Sequence, residues 1–252
     1  MLPKLRVFYE SHYLPALFQD MPEKAGMASQ ELFHPVPAII LSDSVCGGAI
    51  RRHFLAEPFS QSTLDGCNGS NACTIIACHV SYFLLIGAIP VLSSPDEAVP
   101  EHLVSAFVQS MRAANALYGN ADLGGQLLAV YEAVDVLSHT NIIVAPRGDL
   151  GCHSEGESVR ELSRLADVAR TEKRTIVGVL VQNPLSICLA VTGDGIVMIF
   201  DSHSHDAHGA MIACGGLRDK AAAAAGFVAD IVGVISDCHL CLLTLGTREP
   251  MH

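Results

Sequence analysis

The chain has 252 residues, half of them hydrophobic and 16% charged, which is enough apolar material for one large domain. A formal charge of −11 weighs against nucleic acid or an anionic membrane as the main partner. The nine cysteines are an odd number, and no cleavable N-terminal signal precedes them. Reduced thiols in an intracellular, cytoplasmic setting are therefore expected, or delivery into a host cytoplasm if the source is viral or bacterial.

In chain order, residues 1–45 read as an N-terminal extension: a helical start, a connector, and a short apolar piece at 37–41. The domain proper is expected over 46–252. Residues 51–57 read as a short helix, and 59–72 as an irregular loop of Ser, Asn and Gly. Residues 72–88 form an apolar helix. The stretch 74–93 is hydrophobic enough to suggest a membrane span, but His79, Ser81, Tyr82 and Pro90 within it favour a buried core helix. Residues 100–118, with a proline start and apolar positions 103, 104, 107 and 111, predict a second helix, and 127–137 a third. A short strand at 141–145, a Gly/Asp/His loop at 147–155 and a helix at 158–170 follow.

From Thr175 the period changes to that of strands, at 175–181, 186–192 and 196–200, with Gly193-Asp194-Gly195 as a tight hairpin turn. Residues 196–200 are apolar on both faces, as a central strand is. An alanine-rich helix at 220–225 and apolar elements over 227–245 close the chain. Helices first and an antiparallel sheet afterwards is an α+β order.

Chemistry concentrates in two places. The segment Cys67-Asn68-Gly69-Ser70-Asn71-Ala72-Cys73-Thr74 runs a polar loop into a cysteine at the start of an apolar helix. The free N–H groups and dipole of a helix start lower a thiol pKa and can bind an oxyanion. Cys67 sits too early in the loop for this role, and Cys78 lies inside the helix, where burial raises its pKa. The second place is Asp201-Ser202-His203-Ser204-His205-Asp206-Ala207-His208-Gly209, directly after the central strand. In an extended strand Asp201 and His203 share a face, so the carboxylate can hold the imidazole in one tautomer while its other nitrogen meets a thiol. Gln61, twelve residues before Cys73, is a candidate oxyanion donor, with Asn68 and Asn71 as rivals.

Bland readings stand beside these. Cys73 on its own is as consistent with a packing thiol. His203, His205 and His208 with Asp201 and Asp206 admit a zinc site, which would need a further ligand such as Cys152, His153 or Cys214. Cys238-His239-Leu240-Cys241 has knuckle spacing, but its apolar flanks read as a buried strand or helix. Neither a metal nor a cofactor is expected, and His205 and His208 read as solvent-facing or substrate-contacting.

Gln61, Cys73 and the Asp201-x-His203 pair stand in the order and rough spacing of the herpesvirus large-tegument-protein deubiquitinases. The chain resembles that family and its cellular and bacterial counterparts, the viral-tegument-like deubiquitinases, over 68–77 and 199–213. The resemblance implies a papain-like cysteine peptidase fold, with a helical part carrying the nucleophile packed on an antiparallel sheet carrying Asp and His. It also implies that ubiquitin or a ubiquitin-like modifier and its conjugates are the partners. In its terms Cys73 is the nucleophile, His203 the base, Asp201 its orienter, and Gln61 the oxyanion support. The alternatives are another papain-fold thiol hydrolase or deamidase, a non-catalytic ubiquitin-binding module, or a zinc-binding module.

Overall fold

The computed structural model describes residues 37–45, 48–121, 123, 125–140, 142–152, 155–216 and 238–246, with the backbone alone over 151–159. The expected helical start before residue 37, the helix at 220–225, most of the 227–245 element, Cys46 and His153 lie outside the described residues.

Eight strands build one sheet: β1 (Ile39–Val45), β2 (Ile50–Leu55), β3 (Val144–Cys152), β4 (Ile176–Gln182), β5 (Leu185–Val191), β6 (Ile196–Asp201), β7 (Met211–Gly216) and β8 (Cys238–Leu245). Their order across the sheet is β1-β2-β7-β6-β5-β4-β8-β3, and every pairing is antiparallel. The helices are α1 (Cys73–Leu85), α2 (Glu101–Asn120), α3 (Val130–Ser138) and α4 (Glu155–Glu172). The architecture is α+β.

The period of two explains the core. Cys188, Ala190, Met198, Phe200 and Ile212 point to the face carrying α1, α2 and α3, while Ile187, Leu189, Val197, Ile199 and Met211 point to the face carrying α4. Both faces are covered, which is why β6 is buried along its whole length, as its double-sided apolar run predicts. The turn joining β5 to β6 closes by Thr192 N–H to Ile196 O at 2.9 Å, and Gly195 takes a left-handed φ of 79° there.

Helix α1 is central. All its residues except Tyr82 and Leu85 are buried, as expected of a helix that is apolar all round. It lies between the sheet and helices α2 and α3. Full burial of Ile75, Ile76 and Phe83 contributes about 1.5–3 kcal/mol each. Its end is set by Gly87, at φ +73°, with Ala88 N–H bonding to Phe83 O at 2.9 Å and Gly87 N–H to Leu84 O at 3.2 Å. Only glycine takes that left-handed position without strain. Among the described residues no helix is long and apolar enough to cross a membrane.

Two expectations are corrected. Residues 51–57 are not a helix: 50–55 form β2, because Ile50 and Phe54 face one core cluster, Leu55 faces the other, and both strand edges are paired. Residues 147–152 are not a loop but most of β3, paired with β8 over Val144–Cys152. Pro146 and the glycines suggested a loop, yet an edge strand tolerates a proline, and the register shifts between Pro146 and Gly148. The order is accordingly not helices then strands, since β1 and β2 precede every described helix.

Candidate active site

Cys73 is the first residue of α1 and is 2% exposed. The N–H groups of a helix's first turn have no intrahelical acceptor, so a group placed there faces fixed donors. The loop leading in is held by α2 at three points. Arg112 grips Asp65 with Nε and Nη2 at 2.7 and 3.2 Å, Asn115 donates to Gln61 O at 2.9 Å, and Ser70 Oγ donates to Asn115 Oδ1 at 2.8 Å. Ser70 Oγ also accepts from Ala72 N–H at 3.2 Å, standing in for the side-chain cap that Ala72 cannot provide. From the sheet side, Cys73 Sγ approaches Pro184 O at 3.6 Å, in the turn between β4 and β5.

Asp201 ends the central strand and is buried. Its Oδ1 accepts from His203 Nδ1 at 2.6 Å and from the His203 main-chain N–H at 3.0 Å. The sequence argument put the two side chains together on one face of an extended strand. The structure brings them together through a bend instead: the carboxylate captures the N–H two residues on, as Asp does in turns. With Nδ1 committed to Asp201, Nε2 is the nitrogen left for a partner.

The charges agree with that geometry. Burial alone would raise the Cys73 thiol, but hydrogen bonding and charge from His203 outweigh it, so its pKa lies below the ordinary 9.0. Burial alone would lower His203, but Asp201 and Cys73 overcome it and lift the imidazole from 6.5 to about 10. Burial likewise opposes Asp201, yet His203 and His205 hold its carboxyl well below the ordinary range. The result favours a thiolate–imidazolium pair on a carboxylate. Cys78, Cys188, Cys214 and Cys241 move the other way, with burial pushing the last three up to about 12. Cys67 is exposed in the loop.

Gln61 is buried and locked beside this group. Its Oε1 accepts from Ser202 Oγ at 2.8 Å, its Nε2 donates to Ser70 O at 2.9 Å, and its main-chain N–H donates to Ser202 O at 2.8 Å. An amide carries two N–H donors, and the bond to Ser70 uses one. Of the rivals, Asn71 donates to Gly125 O at 2.6 Å, and Asn68 is exposed. Ser202, Ser70 and Asn115 were missed by sequence reasoning. A serine inside the Asp-x-His motif was the one available signal, and its partner lies 141 positions away in the chain.

His205 and His208 are half-buried. Both rings pack on Phe54, at centroid distances of 5.7 and 5.3 Å, and their main chains pair with each other. Among the described residues no three or more His, Cys, Asp or Glu side chains converge as a metal site would require. Cys238 and Cys241 are buried in strand β8. An open cleft of about 280 Å³ is lined by Thr74, the residue after Cys73, and by Leu127, Leu128, Glu132, Pro184 and Ser186 among others.

No protein-family model matches the chain, and no curated protein matches it in sequence. Among solved structures, it is similar to the ubiquitin-specific protease encoded by murine cytomegalovirus tegument protein M48, solved in complex with a ubiquitin-based suicide substrate. The TM-score is 0.48 at 16% identity, covering 78% of this chain and 88% of that one. The likeness is loose, and the functional reading that follows stands on the side chains.

Proposed function

We propose that the protein is a cysteine-type deubiquitinase of papain-like fold, hydrolysing isopeptide bonds to ubiquitin or a ubiquitin-like modifier. The observation that carries the chemistry is the His203 imidazole held at Nδ1 by buried Asp201, with Cys73 standing as the first residue of a buried helix and its thiol lowered by His203. The modifier is inferred from the resemblance carried by Gln61, Cys73 and Asp201-x-His203.

In this reading the Cys73 thiolate adds to the carbonyl carbon of the modifier's C-terminal glycine. The oxyanion that forms takes a hydrogen bond from the Cys73 main-chain N–H and one from the Gln61 amide. His203 passes its proton to the lysine nitrogen as the C–N bond breaks, leaving a thioester. It then takes a proton from water, whose oxygen attacks the thioester and releases the thiolate and a free carboxylate. The cleft beside Thr74 and Pro184 offers the acyl chain a place to lie.

The test is a ubiquitin probe with a C-terminal electrophile, run beside probes of related modifiers. One covalent adduct in wild type, absent in Cys73→Ala, is expected. No adduct with any modifier, or one that survives Cys73→Ala, overturns the reading. Parallel incubation with glutamine-bearing proteins separates a deamidase, which releases ammonia and leaves the probes untouched.

A further inference from the structure

Asp201 faces two imidazoles. Its Oδ1 holds His203 Nδ1 at 2.6 Å, and its Oδ2 lies 3.2 Å from Nε2 of His205. That Nε2 is buried and makes no aligned hydrogen bond in this arrangement, although the carboxylate oxygen lies within hydrogen-bond distance of it. The ring is held in place from two sides. Phe54 of β2 meets it edge-on, and the His205 main chain exchanges hydrogen bonds with His208, N–H to O at 3.1 Å and back at 2.8 Å. Asp206, at φ +51°, takes the left-handed conformation that folds the chain back between them, one that Asp tolerates. The other titratable or charged groups around the ring are His203 across the shared carboxylate, His208 on the same Phe54 face, and Arg52, whose guanidinium lies 5.2 Å from the Phe54 ring on β2.

We infer that His205 is a positioning residue: its Nε2–H holds Asp201 Oδ2 and thereby fixes the carboxylate plane whose other oxygen orients His203. The terminal torsion of an aspartate is broad, so a carboxylate held at one oxygen can turn. Held at both, it keeps Oδ1 aimed at Nδ1 of His203, and His203 Nε2 aimed at the thiol. This rests on reading Cys73, His203 and Asp201 as the thiol site, and it adds a fourth residue that acts through Asp201 without touching substrate.

The test reads the thiolate–imidazolium pair without any modifier. Iodoacetamide labelling of Cys73 is followed by peptide-resolved mass spectrometry across pH, so that exposed Cys67 is counted separately. His205→Phe keeps a ring against Phe54 but has no donor, while His205→Gln places an amide N–H where Nε2 stands. At pH 6 the Phe variant is expected to label roughly three- to tenfold more slowly than wild type, its thiol pKa rising by up to about one unit. The Gln variant should stay within about twofold of wild type. With a ubiquitin C-terminal amide substrate, kcat should fall by the same factor in the Phe variant while KM holds.

If thermal melting shows the Phe variant unfolded, His205→Met takes its place as the donor-free variant. Equal labelling in wild type and the donor-free variant overturns the inference, as does an equal loss in the donor-free and Gln variants, and in both cases the thiol site stands. A wild-type Cys73 that labels at pH 6 no faster than an ordinary thiol overturns the site reading together with the inference.

Discussion

Gln61 and Ser202 clasp each other twice: the Gln61 main-chain N–H donates to Ser202 O at 2.8 Å, and the Ser202 hydroxyl donates to Gln61 Oε1 at 2.8 Å. The two come from opposite sides of the site. Gln61 lies in the loop that leads to the nucleophile, and Ser202 lies between Asp201 and His203 at the end of the central strand. The clasp therefore fixes the proposed oxyanion donor relative to the proposed base. The orientation of the amide is settled by Ser70 O, a carbonyl that can only accept, so Nε2 lies on that side and Oε1 faces the Ser202 hydroxyl.

Gln61→Ala is expected to lower kcat by about 10²- to 10³-fold, the usual loss for one oxyanion donor. Iodoacetamide labelling of Cys73 should continue, since alkylation builds no oxyanion. Ser202→Ala should give a milder loss of kcat and cost about 1–3 kcal/mol of stability by leaving Gln61 Oε1 buried without a partner. Steady-state kinetics and thermal unfolding of both variants check the pair. Equal kcat in Gln61→Ala and wild type would remove Gln61 from the mechanism.

The Cys73–His203 pair predicts a bell-shaped pH profile. The thiol lies below its ordinary value, so the acid limb of kcat/KM should fall below the 9.0 of a free thiol. The alkaline limb should appear near pH 10, where His203 gives up its proton. Both limbs belong to the coupled pair, and a rate profile reports them as macroscopic values. An acid limb at or above the ordinary thiol value would contradict the pairing.

Asp201→Asn should show its effect on stability in a defined window. His203 is raised above 6.5, so the stability it gains from Asp201 is fully present below that pH and lost as pH climbs through about 10. Asp201 is lowered below 3.8, so its contribution is present above that pH and lost as pH falls below it. The gap in melting temperature between wild type and Asp201→Asn should therefore be widest between about pH 4 and 6.5, and close toward both extremes. Melting curves over that range test it, and a gap independent of pH would show that the pair is not charged.

Asn115→Ala removes the donation to Gln61 O and the acceptance from Ser70 Oγ, together with a long contact of its Nδ2 to Cys67 Sγ at 3.9 Å. A loss of about 1–3 kcal/mol is expected, with kcat reduced severalfold because Gln61 and the start of α1 lose a shared brace. Asn115→Asp keeps the acceptor for Ser70 and loses the donor, so unfolding and kinetic measurements on it apportion the two bonds.

By itself the sequence determined the elements whose signals are local. The apolar run from Cys73 reads as a buried helix, 196–200, apolar on both faces, as an inner strand, and Gly193-Asp194-Gly195 as a turn between strands, and each forms as read. The juxtaposition of Asp201 and His203 was legible because a single residue separates them. Tertiary structure decided what depended on partners far along the chain. Residues 50–55 became a strand because β1 and β7 pair on either side, and 147–152 became an edge strand despite Pro146 because β8 offered its hydrogen bonds. It also brought Ser202 to Gln61, Asn115 to the loop before Cys73, and Phe54 behind His205. Each of these contacts is made by short-range forces between residues remote in sequence, and no local pattern of residue types encodes such a meeting.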